Sequence, residues 1–218
     1  MHRQTTDAPQ TAGRVLHHGT RWYDLFGTVI SFGQDKAIRE KLIELAAPAL
    51  GEQVLDVGCG TGTLAIGLKS RVGTAEVHGI DASPEMIAVA KEKAAKAGSA
   101  IGFRVALIEA IPFPVASFDL VTSSLMLHHL PDDLKSKGFL EIRRVLKPGG
   151  RFVAMDFAAH GHSLLGRGRP LGHLLSMIGH SHGESMVDKL TPMLKDAGFS
   201  DVEAIPTRHK NFAFIRAR

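Results

Sequence analysis

The sequence predicts an α/β fold in which helices flank a mostly parallel β-sheet. Residues 51–63 (GEQVLDVGCGTGT) hold a short apolar run followed by glycines at alternate positions, which is typical of a buried parallel strand that turns into a helix. A second strand-like run, residues 75–80, ends next to Asp81. Strand-like and helix-like patterns then alternate along the chain, as expected of parallel strands joined by helices.

Length and composition fit one domain with a substantial core. The chain has 218 residues, a formal net charge of +4 and a hydrophobic content of 44%, so composition predicts no nucleic-acid partner. We expect no membrane-spanning helix, since no run of about 18 apolar residues occurs, and no secretory signal. Cys59 is the only cysteine, which excludes an intrachain disulfide and thiolate-cluster chemistry and favours a cytoplasmic location.

The glycine-rich stretch favours a ligand at the start of the first crossover helix. Glycines lack the Cβ that would collide with a close ligand, and the free N–H groups of a helix start attract electron-rich groups. Asp81 lies where a ribose-binding acid belongs, which indicates an adenosine cofactor. A dinucleotide fingerprint would require glycine at position 63, where this chain has Thr63.

The spacing of the motif resembles that of a known family. Asp56, two residues before a G-x-G-x-G stretch, resembles motif I of class I S-adenosylmethionine-dependent methyltransferases. Residues 124–132 resemble the segment that follows the fourth strand in this family, and RRVLKPGGRFVAMDF at residues 143–157 resembles a second hallmark of the family. The resemblance covers about residues 20–218 and is nearest to the small-molecule branch that includes ubiquinone and menaquinone biosynthesis. It implies a Rossmann-like, seven-stranded, mostly parallel sheet with helices on both faces and an antiparallel last strand between the fifth and sixth.

The first part of the chain precedes the sheet. We expect residues 1–19 to be disordered and residues 20–218 to form a single methyltransferase domain. Residues 20–50 are predicted to be a mainly helical segment. In similar methyltransferases such a segment crosses the cofactor cleft, so Tyr23 is a candidate cofactor contact, although simple packing explains it equally well.

Sequence signals mark the remaining elements in order. Ser83 and Pro84 suit the N-cap and first position of a helix that stops at Gly98, and Gly198 stops the last helix. Residues 147–150 (KPGG) predict a sharp turn between a helix and a strand. Helices are predicted at residues 37–50, 64–71, 83–97, 133–146 and 185–197, and strands at residues 54–57, 75–80, 101–107, 118–123, 151–157, 201–205 and 212–216.

The resemblance implies contacts along the whole cofactor, S-adenosyl-L-methionine. Asp81 would hold the ribose hydroxyls. The family's acid that holds the adenine amino group is absent, because Leu107 and Ile108 stand in its place. Glu109 or the backbone near Ile108 would substitute. The other expected contacts are Asp56, Gly58, Cys59, Gly60 and Gly62 at the methionine end, Ala82 and Met86 at the adenine, and Ser124 and Leu125 near the sulfonium; Met86 equally fits the core.

Two histidines are candidates for catalysis. A general base is needed only if the acceptor arrives protonated, and His128 and His129 follow the fourth strand at the edge where ligands bind. Either histidine could instead serve as a pocket wall. The histidines of residues 158–183 lack the carboxylate or cysteine framework of a metal site, so none is predicted.

The predicted activity is methyl transfer to oxygen, nitrogen or carbon of a small molecule, with S-adenosyl-L-homocysteine as the product. A quinone- or phenol-like acceptor fits the family branch. We interpret residues 158–183, rich in glycine and histidine, as a cap over the substrate that could also touch a membrane surface. The alternatives are a membrane-associated lipid or prenylquinone methyltransferase and a non-catalytic regulatory protein that binds the cofactor. The oligomeric state stays open.

Overall fold

The structure is a computed structural model that describes residues 35–73, 75–158, 186–208 and 211–218. Within these ranges the strands are β1 (Val54–Val57), β2 (Val77–Asp81), β3 (Gly102–Val105), β4 (Phe118–Ser124), β5 (Leu146–Phe157), β6 (Val202–Ile205) and β7 (Phe212–Ala217). The helices are α1 (Asp35–Ala46), α2 (Thr63–Val72), α3 (Pro84–Lys96), α4 (Asp132–Val145) and α5 (Met186–Asp196), with short 3-10 helices at Ile108–Ala110 and Leu127–His129.

The strands form one seven-stranded sheet in the order β3-β2-β1-β4-β5-β7-β6. The first five strands are parallel, whereas β7 is antiparallel to both β5 and β6. The predicted fold class is therefore confirmed, including the insertion of the last strand between the fifth and sixth. The carboxyl ends of β1, β2, β4 and β5 consequently meet at one edge of the sheet.

The predicted turn at residues 147–150 lies inside β5. Phe118 pairs with Leu146 and Leu120 pairs with Arg151, so the intervening residues of β5 bulge out opposite a single residue of β4. Gly149 has a φ of 77° within this bulge, a left-handed conformation that glycine adopts freely. The strand therefore begins five residues earlier than the sequence predicts.

Helix α1 ends at Ala46, earlier than predicted, because Ala47 has a left-handed φ of 44° and Pro48 follows it; Arg151 binds this end of the helix. Its guanidinium donates to the carbonyl oxygens of Ala46 and Ala47, each at 2.7 Å, and makes two 2.8 Å contacts with the carboxylate of Glu52. Arginine thus satisfies carbonyls that the end of a helix leaves unpaired. This contact ties the end of α1 to the start of the parallel run of β5.

Two hydrophobic clusters cover opposite faces of the sheet. The first packs α1, α2 and α3 against one face, and the second packs α4 and α5 against the other. In β1 the side chains alternate between them, since Val54 belongs to the first cluster and Leu55 and Val57 to the second. Burial on both faces is what a central parallel strand requires.

Of the predicted cap, residues 158–183, the structure describes the first residue, Ala158. Ala158 continues the pairing of β5, because its N–H donates to the carbonyl oxygen of Asn211 at 3.0 Å. The rest of the predicted cap and the predicted N-terminal tail lie outside the described residues. In the described ranges no helix is both long and apolar enough to cross a bilayer.

Candidate functional site

The glycine loop between β1 and α2 is fastened to the end of β2. The N–H groups of Gly58 and Cys59 both donate to the carbonyl oxygen of Ile80, at 2.8 and 2.9 Å. The N–H of Gly60 donates to Oδ2 of Asp81 at 2.9 Å. The loop is therefore held against the strand that carries the predicted ribose-binding acid.

Packing as well as backbone conformation requires glycine in this loop. Gly58 and Gly62 have φ values of 69° and 78°. A Cβ at Gly58 would lie 2.3 Å from Cγ of Met126, and one at Gly62 would lie 2.8 Å from Cζ of Phe103. Met126 follows β4, so the segment after β4 lies directly over the start of the glycine loop.

Asp81 is held rigidly by backbone donors. Its Oδ2 accepts the bond from Gly60, and its Oδ1 accepts one from the N–H of Ser83 at 2.9 Å. Burial raises the pKa of Asp81, while these two hydrogen bonds oppose the rise. Each carboxylate oxygen can accept a second hydrogen bond, so the group retains capacity for two ligand hydroxyls. Ser83 also caps α3, as predicted, by accepting from the N–H of Met86 at 3.2 Å.

Asp56 is the least satisfied acid in the site. It is 1% exposed, and its Oδ1 accepts from the hydroxyl of Thr122 at 2.9 Å. Its Oδ2 is buried and has no hydrogen-bond partner among the described residues. Burial raises the pKa of Asp56 to about 7, with a further contribution from the nearby Asp81 carboxylate and opposition from Thr122. Buried polar atoms normally have partners, so this oxygen fits a donor or cationic group of a ligand.

The thiol of Cys59 is packed against the sheet. A Cβ at Gly79 of β2 would lie 3.0 Å from its Sγ. Burial raises the pKa of the Cys59 thiol, and the neighbouring acids Asp56 and Asp81 raise it further. A neutral, buried thiol is a poor nucleophile, which leaves the backbone of Cys59 as the part available for ligand contact.

The residues predicted to contact the adenine differ in how far their side chains are buried. Met86 is buried at the start of α3, and Ala82 is half-buried. Ile108 is buried in the first 3-10 helix, where a Cβ added at Gly138 of α4 would lie 2.7 Å from its Cδ1. The side chain of Ile108 therefore packs on α4, and its backbone is what remains for a ligand. Glu109 is half-buried beside it.

The segment after β4 begins with an unusual backbone conformation. Ser124 ends the strand, and Leu125 has a φ of 53°, a left-handed value that costs a non-glycine residue about 1–2 kcal/mol. The N–H of Leu125 donates to the carbonyl oxygen of Met155 at 2.9 Å, which holds this conformation in place. Such local strain is a common feature of functional sites, and here it turns the chain toward the glycine loop.

His128 is bound to Asp156, an acid that the sequence motifs do not mark as a site residue. Asp156, near the end of β5, is 1% exposed. Its Oδ1 lies 2.6 Å from Nδ1 of His128, and its Oδ2 accepts the backbone N–H of His128 at 2.9 Å. The N–H of Phe157 donates to Oδ1 at 2.8 Å. The sequence signal was an acid directly after a buried apolar run at the carboxyl end of a parallel strand.

Aromatic rings surround this pair. The ring of His128 lies 3.9 Å from that of His129, between centroids, and 5.0 Å from that of Phe157 in an edge-on arrangement. Phe157 stacks on Phe212 of β7 with centroids 5.5 Å apart. The two predicted histidines thus lie together, beside the half-buried ring of Phe157, which packs on the buried ring of Phe212.

Tyr23 and all the histidines of the predicted cap lie outside the described residues. Within the ranges that the structure describes, no group of three or more histidine, cysteine, aspartate or glutamate side chains is arranged to hold a metal ion.

Comparisons with known proteins agree with this architecture. Residues 54–150 match the family model of a methyltransferase domain. The chain is 41% identical over 135 residues to a demethylmenaquinone methyltransferase of Thermus thermophilus, which covers 62% of this chain and 60% of that protein. It is 37% identical over 139 residues to the ubiquinone/menaquinone biosynthesis C-methyltransferase UbiE of Geotalea daltonii, covering 62% of this chain and 58% of that one.

A solved structure extends the likeness in fold to most of the chain. A SAM-dependent methyltransferase from Aquifex aeolicus matches with a TM-score of 0.66 at 25% identity, over 82% of this chain and 88% of that chain. The chain spans about three fifths of the length of the curated relatives that it matches. This chain therefore has the fold of S-adenosylmethionine-dependent methyltransferases, and its residues 54–150 match the model of the methyltransferase-domain family.

Proposed function

We propose that this chain is an S-adenosylmethionine-dependent methyltransferase that acts on a small-molecule acceptor and releases S-adenosylhomocysteine. The observation that carries the proposal is the hydrogen bond between the glycine loop and Asp81, beside a carboxylate oxygen of Asp56 that has no partner within the described ranges. This arrangement offers acceptors for ribose hydroxyls and for a cationic group at one edge of the sheet. The family match and the named activities of the relatives support the same conclusion.

The cofactor would lie along the carboxyl edge of β1, β2 and β4. Asp81 would accept the ribose hydroxyls, while Oδ2 of Asp56 and the loop backbone would hold the methionine end. Four residues would contact the adenine: Ala82, Met86, Glu109 and, through its backbone, Ile108. Ser124 and Leu125 would lie near the sulfonium.

When bound, S-adenosylmethionine supplies a methyl group already activated as a sulfonium. The protein's own contribution is to align the acceptor and exclude water. If the acceptor enters as a hydroxyl, its proton must leave, and a positioned base accelerates that transfer by about 10²–10⁴-fold. We assign this role to the ring of His128, with His129 beside it as the second candidate.

A flat, phenol- or quinol-like molecule is the acceptor class that we propose. The half-buried ring of Phe157 lies beside His128 and is backed by the buried ring of Phe212, and its exposed part suits contact with an aromatic ring. The names of the relatives, demethylmenaquinone methyltransferases among them, point to the same class. We place the activity in the cytoplasm and without a nucleic-acid partner.

Calorimetry on one substitution tests the cofactor site. Asp81→Ala removes both the proposed ribose acceptor and the anchor of Gly60, so the affinity for S-adenosylmethionine should fall at least about tenfold, or about 1.4 kcal/mol. Asp119→Ala is the matched control: Asp119 also accepts a backbone N–H, that of Gln53 at 2.9 Å, but at the start of β4 on the opposite edge. Its variant should bind like wild type. Unchanged affinity in Asp81→Ala would refute the site.

A further inference from the structure

We infer that Asp156 is a positioning residue that fixes the orientation and proton arrangement of His128, leaving Nε2 as its basic nitrogen. Its relevance to catalysis rests on the proposed function, since His128 is the proposed base. The proton arrangement itself is a property of the protein alone. It can therefore be tested without cofactor or acceptor.

Three donors converge on the carboxylate of Asp156. Oδ1 faces the ring nitrogen Nδ1 of His128 at 2.6 Å and the N–H of Phe157 at 2.8 Å, and Oδ2 faces the backbone N–H of His128 at 2.9 Å. An ionised carboxylate only accepts hydrogen bonds, so the proton between the two side chains is assigned to Nδ1. A neutral imidazole carries one proton, which places the free lone pair on Nε2.

The same carboxylate fixes the direction of the ring. Because Asp156 binds both the backbone and the ring of His128, side-chain rotation would break a charge-assisted hydrogen bond in a site where water does not replace it. The side chain of His128 is 17% exposed, and its ring hydrogen bond to Asp156 is made through Nδ1. Nδ1 is thus committed to the protein, which leaves Nε2 as the nitrogen that would take the proton of an acceptor.

The pair is also linked to the glycine loop. His128 lies two residues after Met126, whose side chain covers Gly58, and the N–H of His129 donates to the carbonyl oxygen of Met126 at 3.0 Å. The ring of His128 therefore keeps a fixed position relative to the loop that we propose for the cofactor. Asp156, near the end of β5, therefore fixes both the proton arrangement and the position of the proposed base, His128.

NMR of the full chain labelled with ¹⁵N-histidine tests the inference directly. At a pH where the ring is neutral, His128 should show a protonated Nδ1 and an unprotonated Nε2. His128→Gln identifies its signals among those of the 12 histidines. In Asp156→Asn the amide presents a donor in place of one oxygen, so the single arrangement should give way to a mixture or to Nε2–H. Asp119→Asn, at the opposite edge, should leave the spectrum unchanged.

Kinetics give a second readout and separate this inference from the proposed function. With an active acceptor, Asp156→Asn should lower kcat by about 10²–10⁴-fold, the contribution of a positioned base, while KM for S-adenosylmethionine stays within about twofold. Asp156→Glu retains a carboxylate and should recover part of kcat.

Two NMR results would overturn the inference even if methyl transfer is observed. One is a wild-type spectrum in which His128 is protonated on Nε2, and the other is an Asp156→Asn spectrum with the same proton arrangement as wild type. The expected spectra without methyl transfer to any acceptor would contradict only the proposed function. If Asp156→Asn does not fold, the wild-type spectrum alone decides.

Discussion

The buried carboxyl of Asp56 should make the cofactor-free protein less stable as pH rises, and Asp56→Asn should remove that effect. The side chain is 1% exposed, Thr122 is its hydrogen-bond donor, and Oδ2 has no partner among the described residues. Burial raises its pKa from 3.8 to about 7. In the unfolded chain the same group ionises freely in water.

The sign and size of the pH effect on stability follow from the difference between the pKa of Asp56 in the folded protein and its pKa in the unfolded chain. Between about pH 4 and pH 7 the unfolded chain releases the Asp56 proton while the folded protein retains it, so the free energy of unfolding falls over this range and is level above it. A difference of about 3 pH units corresponds to about 4 kcal/mol, because one unit is worth about 1.4 kcal/mol. An asparagine keeps the carbonyl oxygen that accepts from Thr122 and carries no charge at any pH. Its buried, unpartnered amide costs about 1–3 kcal/mol independently of pH.

Urea unfolding without cofactor at several values between pH 4 and pH 8 measures the effect. The stability of Asp56→Asn relative to wild type should rise across this range by up to about 4 kcal/mol. Asp119→Asn is the control. Burial raises the pKa of Asp119, but hydrogen bonds from Lys147 and Gln53 outweigh it and hold the pKa below its ordinary value, so this variant should show no such rise. Parallel curves for wild type and Asp56→Asn would refute the reasoning.

Two further substitutions test the packing of the loop and the role of His128. Gly58→Ala adds a Cβ that would lie 2.3 Å from Met126, whereas Gly51→Ala, at a φ of 85°, meets nothing within 4 Å. Urea unfolding should therefore show a loss of about 1–2 kcal/mol for Gly51→Ala from backbone strain and about 1–3 kcal/mol more for Gly58→Ala from overpacking; equal losses would contradict the contact with Met126. His128→Ala should lower kcat by about 10²–10⁴-fold with a phenolic acceptor and leave cofactor affinity in calorimetry unchanged. A loss of that size in His129→Ala alone would transfer the role to the neighbouring ring.

The fold could be predicted because its signals are local. An apolar run, a glycine stop and a serine cap each report on a few neighbouring residues, and together they gave the order of the strands and helices. At the bulge in β5 the sequence predicts a turn, because Pro148 and the two glycines after it are typical of turns. Only the pairing of Leu146 with Phe118, which lie far apart in the chain, shows that the strand begins before the bulge.

The site was predicted where its chemistry lies next to a motif. Asp56 and Asp81 could be identified because each ends a strand beside the glycine loop. Asp156 could not, since its role depends on a contact with His128 across 28 positions of the chain. Ile108 shows that a residue can match a motif position and still direct its side chain elsewhere. Its position in the sequence indicates an adenine contact, but the orientation of a short 3-10 helix commits its side chain to Gly138.

Asp56 and Asp81 show how one edge of a sheet can prepare two parts of a ligand site differently. Asp56 is buried and Asp81 is half-buried, and the two acids lie near the ends of neighbouring strands. Asp81 has two backbone N–H donors and is held in place before any ligand arrives. Asp56 has one hydroxyl donor, its Oδ2 has no partner in the part of the chain that the structure describes, and burial raises its pKa to about 7. A hydroxyl-bearing ligand group needs only a fixed acceptor, whereas a cationic group stabilises an ionised one. The unsatisfied oxygen of Asp56 therefore marks the end of the site at which binding of a cation would also favour release of a proton.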